Sequence, residues 1–146
     1  MKGSYEELLQ KKGFILHYTK GNSMEPMLRQ GQEQCVIRFL AVSDPEPRVG
    51  EVVLFRRGRD YVLHRIVGRK GELFRIRGDN CMGADLVRRD QIVGILSGFY
   101  CGDKYVDCTA DRSYLRYARR RRLGFPLRWI WGKVCNVMHK VLRMWK

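Results

Sequence analysis

The strongest constraint on the fold is a series of short apolar runs that begins at residue 14 and is punctuated by glycine, proline and aspartate. The runs are FILHY, QCVIRFLAV, EVVLF, YVLHRIV, LFRIR and IVGIL. Most of them are too short for a typical helix, and they are rich in β-branched and aromatic residues, which favours strands. The sequence therefore predicts a mainly β body, preceded by a short helix over residues 4–12 that Ser4 caps and Gly13 ends.

The positive charge is concentrated at the C-terminal end. The net charge is +14, and residues 112–146 contain eleven Lys or Arg and no acidic residue. From residue 127, a helical projection separates an apolar side from a basic side, as in a helix that lies on a membrane surface. We therefore divide the chain into a body, residues 1–110, and a basic amphipathic helical tail, residues 111–146.

Two interpretations of the tail are favoured: it packs its apolar side on the body, or it attaches to an anionic membrane surface. A partner protein or a leader peptide is a further candidate for its binding partner. Clustered arginine also suits phosphate binding, but no recognition motif accompanies it, which disfavours nucleic acid as a partner.

Composition bounds the remaining possibilities. A chain of 146 residues with 45% hydrophobic residues is long enough for one domain with its own core. The five cysteines form an odd set without short paired spacings, so we expect neither disulfides nor a zinc site, and no cofactor is implied. No apolar run has the length of a membrane span or the form of a secretory signal. We expect a cytoplasmic protein, peripheral at the membrane if the tail binds there.

Ser23 and His64 have the chemistry of a hydrolytic site. A serine needs a nearby base, and the base works best when a third group orients it. Ser23 lies in a segment in which Gly21 permits tight backbone geometry and Pro26 restricts it, which predicts a stiff exposed turn. A neutral imidazole near pH 7 suits general base and then general acid catalysis.

The positions of the other candidate residues follow from the predicted strands. Residues 56–60 read as the turn of a hairpin, which places His64 in the middle of the following strand. The next strand ends at Gly78, Asp79 and Asn80, where a loop can reach back to the serine turn. Asp79 or Asp85 supplies the third group, and we leave this choice open.

The order of these segments resembles the signal peptidase type I and repressor-autoprotease superfamily of serine peptidases. The similar segments are GNSMEPML at 21–28, GEVVLF at 50–55, YVLHRIV at 61–67, RGDN at 77–80 and RRDQIVGIL at 88–96. The histidine in YVLHRIV is similar to that of the endoplasmic-reticulum and archaeal members, since the bacterial members have lysine there. The resemblance implies a compact signal-peptidase-like β fold without the usual N-terminal membrane anchor.

The resemblance also implies residue roles. Ser23 would be the nucleophile and His64 the base, with Asp85 in the position that best matches the family's aspartate and with Asp79 as the other candidate. Met24, Gly21 and Pro26 would contact the substrate. Gly78, Asn80 and Arg65 would support the site, with Arg65 lining it or forming a salt bridge. Some members have an oxyanion-binding serine where this chain has Gly21, so backbone N–H groups would bind the oxyanion here.

The sequence leads to one preferred function and one alternative. The preferred function is a serine endopeptidase that cleaves an extended peptide or precursor, after small residues if the resemblance holds. A self-cleaving protease of the repressor type is disfavoured, because no Ala-Gly bond precedes Ser23. The alternative is a non-catalytic β module whose cationic tail binds membrane or nucleic acid.

Overall fold

The computed structural model of the chain describes residues 5–123, in which two helices flank an eight-stranded sheet. The elements are α1 (Tyr5–Lys12), β1 (Phe14–Tyr18), β2 (Gln34–Phe39), β3 (Val52–Arg57), β4 (Asp60–Lys70), β5 (Leu73–Arg77), β6 (Asp85–Val87), β7 (Ile92–Cys101), β8 (Lys104–Asp107) and α2 (Arg112–Leu123). The predicted mainly β body with a short N-terminal helix and a helix in the basic segment is confirmed. The predicted cap Ser4 and the amphipathic helix predicted from residue 127 lie outside the described residues.

The sheet is antiparallel throughout, in the order β1-β2-β7-β3-β4-β5-β6, with β8 paired to β7. Strand β7 organises it, since β7 pairs with β2, β3 and β8. Strands β1 and β6 lie at the two ends of the order, so each leaves one edge without a partner strand among the described residues. Ser23 lies in the segment between β1 and β2, and His64 lies in the interior strand β4.

The sheet packs against a core on each face, and the central strand β3 contributes to both. Its residues alternate between the two faces, as a strand requires. Val52 and Leu54 belong to the first core, whereas Val53 and Phe55 belong to the second. The first core also contains Leu9 of α1, so it is the side on which the helix packs. Burial on both faces explains why β3 reads as a continuous apolar run instead of an alternating one.

Two details of the predicted strands need correction. The turn predicted over residues 56–60 is shorter, because Arg57 pairs with Asp60 and only Gly58 and Arg59 connect the strands. Polar residues can continue a strand where its end is exposed, and these residues are exposed. The short strands β6 and β8 were not predicted, since neither has the apolar pattern of a half-buried strand.

Helix α2 packs on the body. Tyr114 and Ala118 are four residues apart, so they lie on one side of the helix, and both are buried in the first core. The rest of the helix surface carries exposed arginines, at 112, 116, 119, 120 and 122. The described part of the predicted tail is thus attached to the body by its own apolar side.

Close packing around Gly94 of β7 gives a test of the first core. A Cβ atom on Gly94 would lie 2.8 Å from Cγ2 of Ile37 and 3.1 Å from Cδ2 of Leu9. We expect Gly94→Ala to lower the free energy of unfolding by about 1–3 kcal/mol, because a methyl group there forces its neighbours to move. Gly68→Ala in β4 is the matched control, since a Cβ at Gly68 meets nothing within 4 Å. Equal effects of both substitutions in denaturant unfolding would contradict this packing.

Candidate active site

Ser23 lies in a compact turn between β1 and β2. The amide of Glu25 donates to the carbonyl of Asn22 at 3.1 Å, and the amide of Leu28 donates to the carbonyl of Met24 at 3.0 Å. Met24 and Leu28 are buried in the first core, which anchors the turn to the body. Ser23 itself is half-buried, and the peptide bond between Glu25 and Pro26 is cis. The hydrogen bonds and the buried side chains of Met24 and Leu28 thus hold the turn that contains Ser23 in place, and Pro26 is exposed beside it.

The loop after β5 reaches back to this turn, as the sequence predicts. The amide of Asn80 donates to the carbonyl of Ser23 at 2.8 Å, and its side chain donates to the carbonyl of Asn22 at 3.2 Å. These bonds hold the backbone of the serine turn against the loop that contains Gly78 and Asp79. Residues more than fifty positions apart in the chain are joined here.

His64 lies in the buried middle of β4, opposite Val53 of β3. Its side chain is on the side of the second core, and its ring centroid is 6.2 Å from that of Phe55. Only 6% of the residue is exposed. Burial lowers the pKa of His64 from its ordinary 6.5, and the positive charge of Arg57 lowers it further, while Asp85 and Asp79 oppose this. The imidazole is therefore neutral near pH 7, the form that a general base requires.

Gly78 lies between His64 and the serine turn. A Cβ atom on this glycine would lie 2.6 Å from the carbonyl oxygen of Ser23, 2.8 Å from Sγ of Cys81 and 3.0 Å from Nε2 of His64. Because the carbonyl oxygen of Ser23 and Nε2 of His64 both lie within 3.0 Å of this one position, the two atoms are close to each other. Only a residue without a side chain allows this approach.

Ser23 and His64 line the same cavity, which we call the serine cavity. It has a volume of about 540 Å³, within the range of small-molecule sites. Gly21, Met24 and Cys81 also line it. Of the three residues that the sequence suggests as contacts of a substrate, Gly21 and Met24 line this cavity and Pro26 does not.

Several residues of the serine cavity were not found from the sequence. Tyr5 of α1, His17 of β1 and Tyr61 of β4 form an aromatic wall, in which the ring of Tyr5 stacks on Tyr61 at 5.4 Å and meets His17 edge-on at 5.5 Å. Burial raises the pKa of Tyr5 to about 12, so its hydroxyl keeps its proton at neutral pH. No local motif marks these residues, because the wall forms only when the helix and two strands meet.

The cavity carries unsatisfied polar groups. Among residues 5–123, four buried side-chain polar atoms have no hydrogen-bond partner, and three belong to residues of this cavity: Tyr5 Oη, Thr19 Oγ1 and His64 Nδ1. Buried polar atoms nearly always have partners, and exceptions are found at functional sites. Three of the four atoms therefore lie in this one cavity, which makes it a candidate binding site.

The side chains of Ser23 and His64 line one cavity, but no hydrogen bond joins them in this structure. Within residues 5–123, neither the hydroxyl nor the amide of Ser23 donates a hydrogen bond. The free amide suits an oxyanion site, which uses backbone N–H groups that have no other acceptor. Hydrogen bonds between catalytic groups often tighten only when substrate is bound.

A buried cluster, which we call the Arg65 network, lies on the other face of β4. The guanidinium of Arg65 forms two hydrogen bonds of 2.8 Å with the carboxylate of Asp79, and their side chains are 0% and 2% exposed. It also donates to the carbonyl of Gly50 at 2.7 Å, to the hydroxyl of Tyr114 at 3.3 Å and to Sδ of Met27 at 3.2 Å. Burial alone would lower the pKa of Arg65, but the hydrogen bonds and charge of Asp79 outweigh burial and raise it.

The network includes helix α2. The hydroxyl of Tyr117 donates to Asp79 at 3.0 Å, and the rings of Tyr114 and Tyr117 lie 5.7 and 5.6 Å from the guanidinium carbon of Arg65. Of the two roles predicted for Arg65, lining the site or forming a salt bridge, the structure shows the salt bridge, and its partner is Asp79.

Neither candidate aspartate is bonded to His64. Asp79 is occupied by Arg65 and Tyr117, so its effect on His64 is electrostatic. Asp85 is partly exposed in β6, and its carboxylate lies 3.5 Å from Nη1 of Arg57. Its negative charge raises the pKa of His64, so it acts on the imidazole at a distance. Which aspartate orients His64 stays a prediction. Asp85 is the candidate that is not held in a buried ion pair.

Comparisons with known proteins do not identify a family: no family model, no curated protein and no solved structure matches the chain. In the described part of the chain, neither helix is long and apolar enough to cross a membrane.

The Arg65 network gives a test of what supports the site. We expect Asp79→Asn to lower the free energy of unfolding by about 3–5 kcal/mol, because it leaves the buried charge of Arg65 without its counterion. Asp90→Asn is the matched control, since the ion pair of Asp90 with Arg88 is exposed and contributes little. Denaturant unfolding measures both, and similar small effects would show that the network does not stabilise the fold.

Proposed function

We propose that the protein is a serine endopeptidase of the signal-peptidase-like type, with Ser23 as nucleophile and His64 as general base. One observation carries the proposal. Ser23 and a neutral, buried His64 line one cavity on either side of Gly78, and the Ser23 amide is free to bind an oxyanion. Three unpartnered polar atoms in the same cavity support a role in binding or catalysis.

The proposed reaction is acyl transfer in two steps. His64 takes the proton of the Ser23 hydroxyl as its oxygen attacks the carbonyl carbon of the scissile bond, and the Ser23 amide stabilises the oxyanion. His64 then gives the proton to the leaving amine. In the second step His64 activates a water molecule that hydrolyses the acyl-enzyme.

The edge strand β1 offers a place for an extended substrate. It ends at Tyr18, shortly before the serine turn, and its outer edge has no partner strand among residues 5–123. Phe14, Leu16 and Tyr18 alternate along it and are each about half exposed. A peptide that pairs with this edge would be held in register by backbone hydrogen bonds, while side chains select it. We therefore propose an extended peptide or precursor protein as the substrate.

The alternative function is a non-catalytic module that binds membrane or nucleic acid. The observation in its favour is the row of exposed arginines on α2. It does not account for the serine cavity and its unpartnered groups, so we place it second.

Catalysis can be tested with a library of quenched fluorescent peptides. We expect Ser23→Ala and His64→Ala each to lower kcat/KM by roughly 10³-fold or more, because the two groups act as a unit. Ser43→Ala replaces an exposed serine in the loop after β2 and should leave the rate unchanged. Cleavage that survives Ser23→Ala would overturn the proposal, and a folded wild type that cleaves nothing would favour the alternative.

The charges around His64 predict the pH dependence of this activity. Since the pKa of His64 is lowered, the base remains deprotonated below pH 6.5, and kcat/KM falls only as the pH drops through the lowered pKa. Arg57→Gln removes a positive charge and should move this acidic limb to higher pH. Asp85→Asn removes a negative charge and should move it to lower pH. Shifts in the same direction, or none, would exclude His64 as the titrating base.

Asp85→Asn also tests whether Asp85 orients the histidine. A purely electrostatic effect changes the position of the acidic limb and leaves the plateau of kcat nearly unchanged. A group that holds the imidazole in place would instead lower the plateau itself, by roughly 10²-fold or more.

A further inference from the structure

A second cavity, with a volume of about 640 Å³, lies between β7 and α2. We call it the arginine cavity. Its apolar lining includes Ile95 and Leu96 of β7, Ala118 and Leu115 of α2, and Val49 of the loop before β3. Leu115 and Val49 remain partly exposed to solvent. The cavity is separate from Ser23 and His64, neither of which lines it.

Four arginines surround this apolar lining. Arg38 comes from β2, Arg48 from the loop before β3, and Arg119 and Arg122 from one side of α2, and all four are exposed. Glu51 is the one acidic residue in the lining, and its carboxylate accepts a hydrogen bond from the backbone amide of Arg48 at 2.6 Å. Within residues 5–123, none of the four guanidinium groups forms an ion pair.

The rest of the chain offers little to balance this charge. Residues 1–4 and 124–146 contain no aspartate or glutamate, so neither terminal segment can supply an acidic side chain. Residues 124–146 also carry five Lys or Arg, which add to the positive charge of this end of the sequence. A cleft lined by charges of one sign raises the local concentration of ions of the other sign. An anion is the ligand that this arrangement favours.

We propose that the arginine cavity binds an anionic phospholipid, with the phosphate between the arginines and part of the acyl chain on the apolar lining. Arginine binds phosphate oxygens through paired hydrogen bonds, so the four arginines around the cavity suit a phosphate group. An inorganic phosphate would leave Leu115 and Val49 in water, whereas an amphiphile covers them. An extended acidic peptide would need a groove, and the four arginines instead converge on one cavity.

The position of the cavity agrees with a lipid. Arg119 and Arg122 lie in the last two turns of α2, which ends at Leu123. The sequence from residue 127 has the pattern of a helix that lies on a membrane surface. A phospholipid site at this end of the body would fix its orientation on the membrane, in addition to the general attraction of a basic tail.

The test uses the full chain and soluble, short-chain lipids, because vesicles would also attract the basic tail. Dihexanoyl phosphatidylglycerol is titrated below its micellar concentration and followed by calorimetry, beside dihexanoyl phosphatidylcholine, inorganic phosphate and hexaglutamate. We expect saturable binding of phosphatidylglycerol that is stronger than that of the other three. Arg119→Gln with Arg122→Gln should weaken it about tenfold or more, as expected for the loss of charge-assisted hydrogen bonds.

The matched control removes the same charge from the same helix. Arg116→Gln with Arg120→Gln changes two exposed arginines that do not line the cavity, and it should weaken binding less than about twofold. Arg38→Gln with Arg48→Gln removes the two arginines of the cavity that lie outside α2. If the α2 variant does not fold, this variant replaces it in the comparison and should weaken binding in the same way. Equal weakening by the cavity pair and the control pair would overturn the proposal. The proposal would also be overturned if binding of phosphatidylglycerol were undetectable. The same holds if inorganic phosphate, phosphatidylcholine or hexaglutamate bound as strongly as phosphatidylglycerol.

Discussion

The buried ion pair between Arg65 and Asp79 holds together the segments on which the rest of the structure depends. All five N–H donors of Arg65 have a partner: two bonds go to Asp79, and one each to Gly50, Tyr114 and Met27. Those partners belong to the loop after β5, the loop before β3, helix α2 and the serine turn. A charge taken out of water is tolerated only when it is paired and hydrogen-bonded in this way.

This pair also orients the candidate catalytic groups, because it acts on their immediate neighbours in the chain. Successive residues of a strand point to opposite faces, so a fixed Arg65 on one face of β4 directs His64 to the other. Asp79 likewise follows Gly78, the residue that allows His64 and the serine turn to approach. The groups of the serine cavity are therefore positioned from behind by an interaction that does not take part in the chemistry.

Much of the fold could be predicted from the sequence, and the missed parts have physical reasons. The strands that pack against a core carry the apolar runs that predicted them. Strand β8 (KYVD) is short, has no fully buried residue and pairs with the edge that β7 supplies. The sequence of α2 indicates its packing on the core only weakly, through the four-residue spacing of Tyr114 and Ala118. The many arginines around these two residues make the helix look fully exposed.

The site was only partly predictable for a similar reason. Ser23, His64 and the loop after β5 could be selected because each carries a recognisable local segment, and the structure brings these segments to one cavity. The partner of Asp79 could not be selected, since an Asp in a Gly-Asp-Asn segment suits a turn, a catalytic dyad or an ion pair equally well. Only the buried position of Arg65 resolves this, and burial is a property of the assembled sheet.

The Arg65 network forms part of the wall between the two cavities, which limits what substitutions within it can reveal. Gly50 and Tyr114 accept hydrogen bonds from Arg65 and line the arginine cavity, while the adjacent residue His64 lines the serine cavity. A change to Arg65 would therefore disturb peptide cleavage, lipid binding and folding together. Substitutions of Ser23 and Arg119 separate these properties, because neither residue takes part in the hydrogen bonds of the network. If the two cavities serve one function, the rigid element that connects them is this buried network.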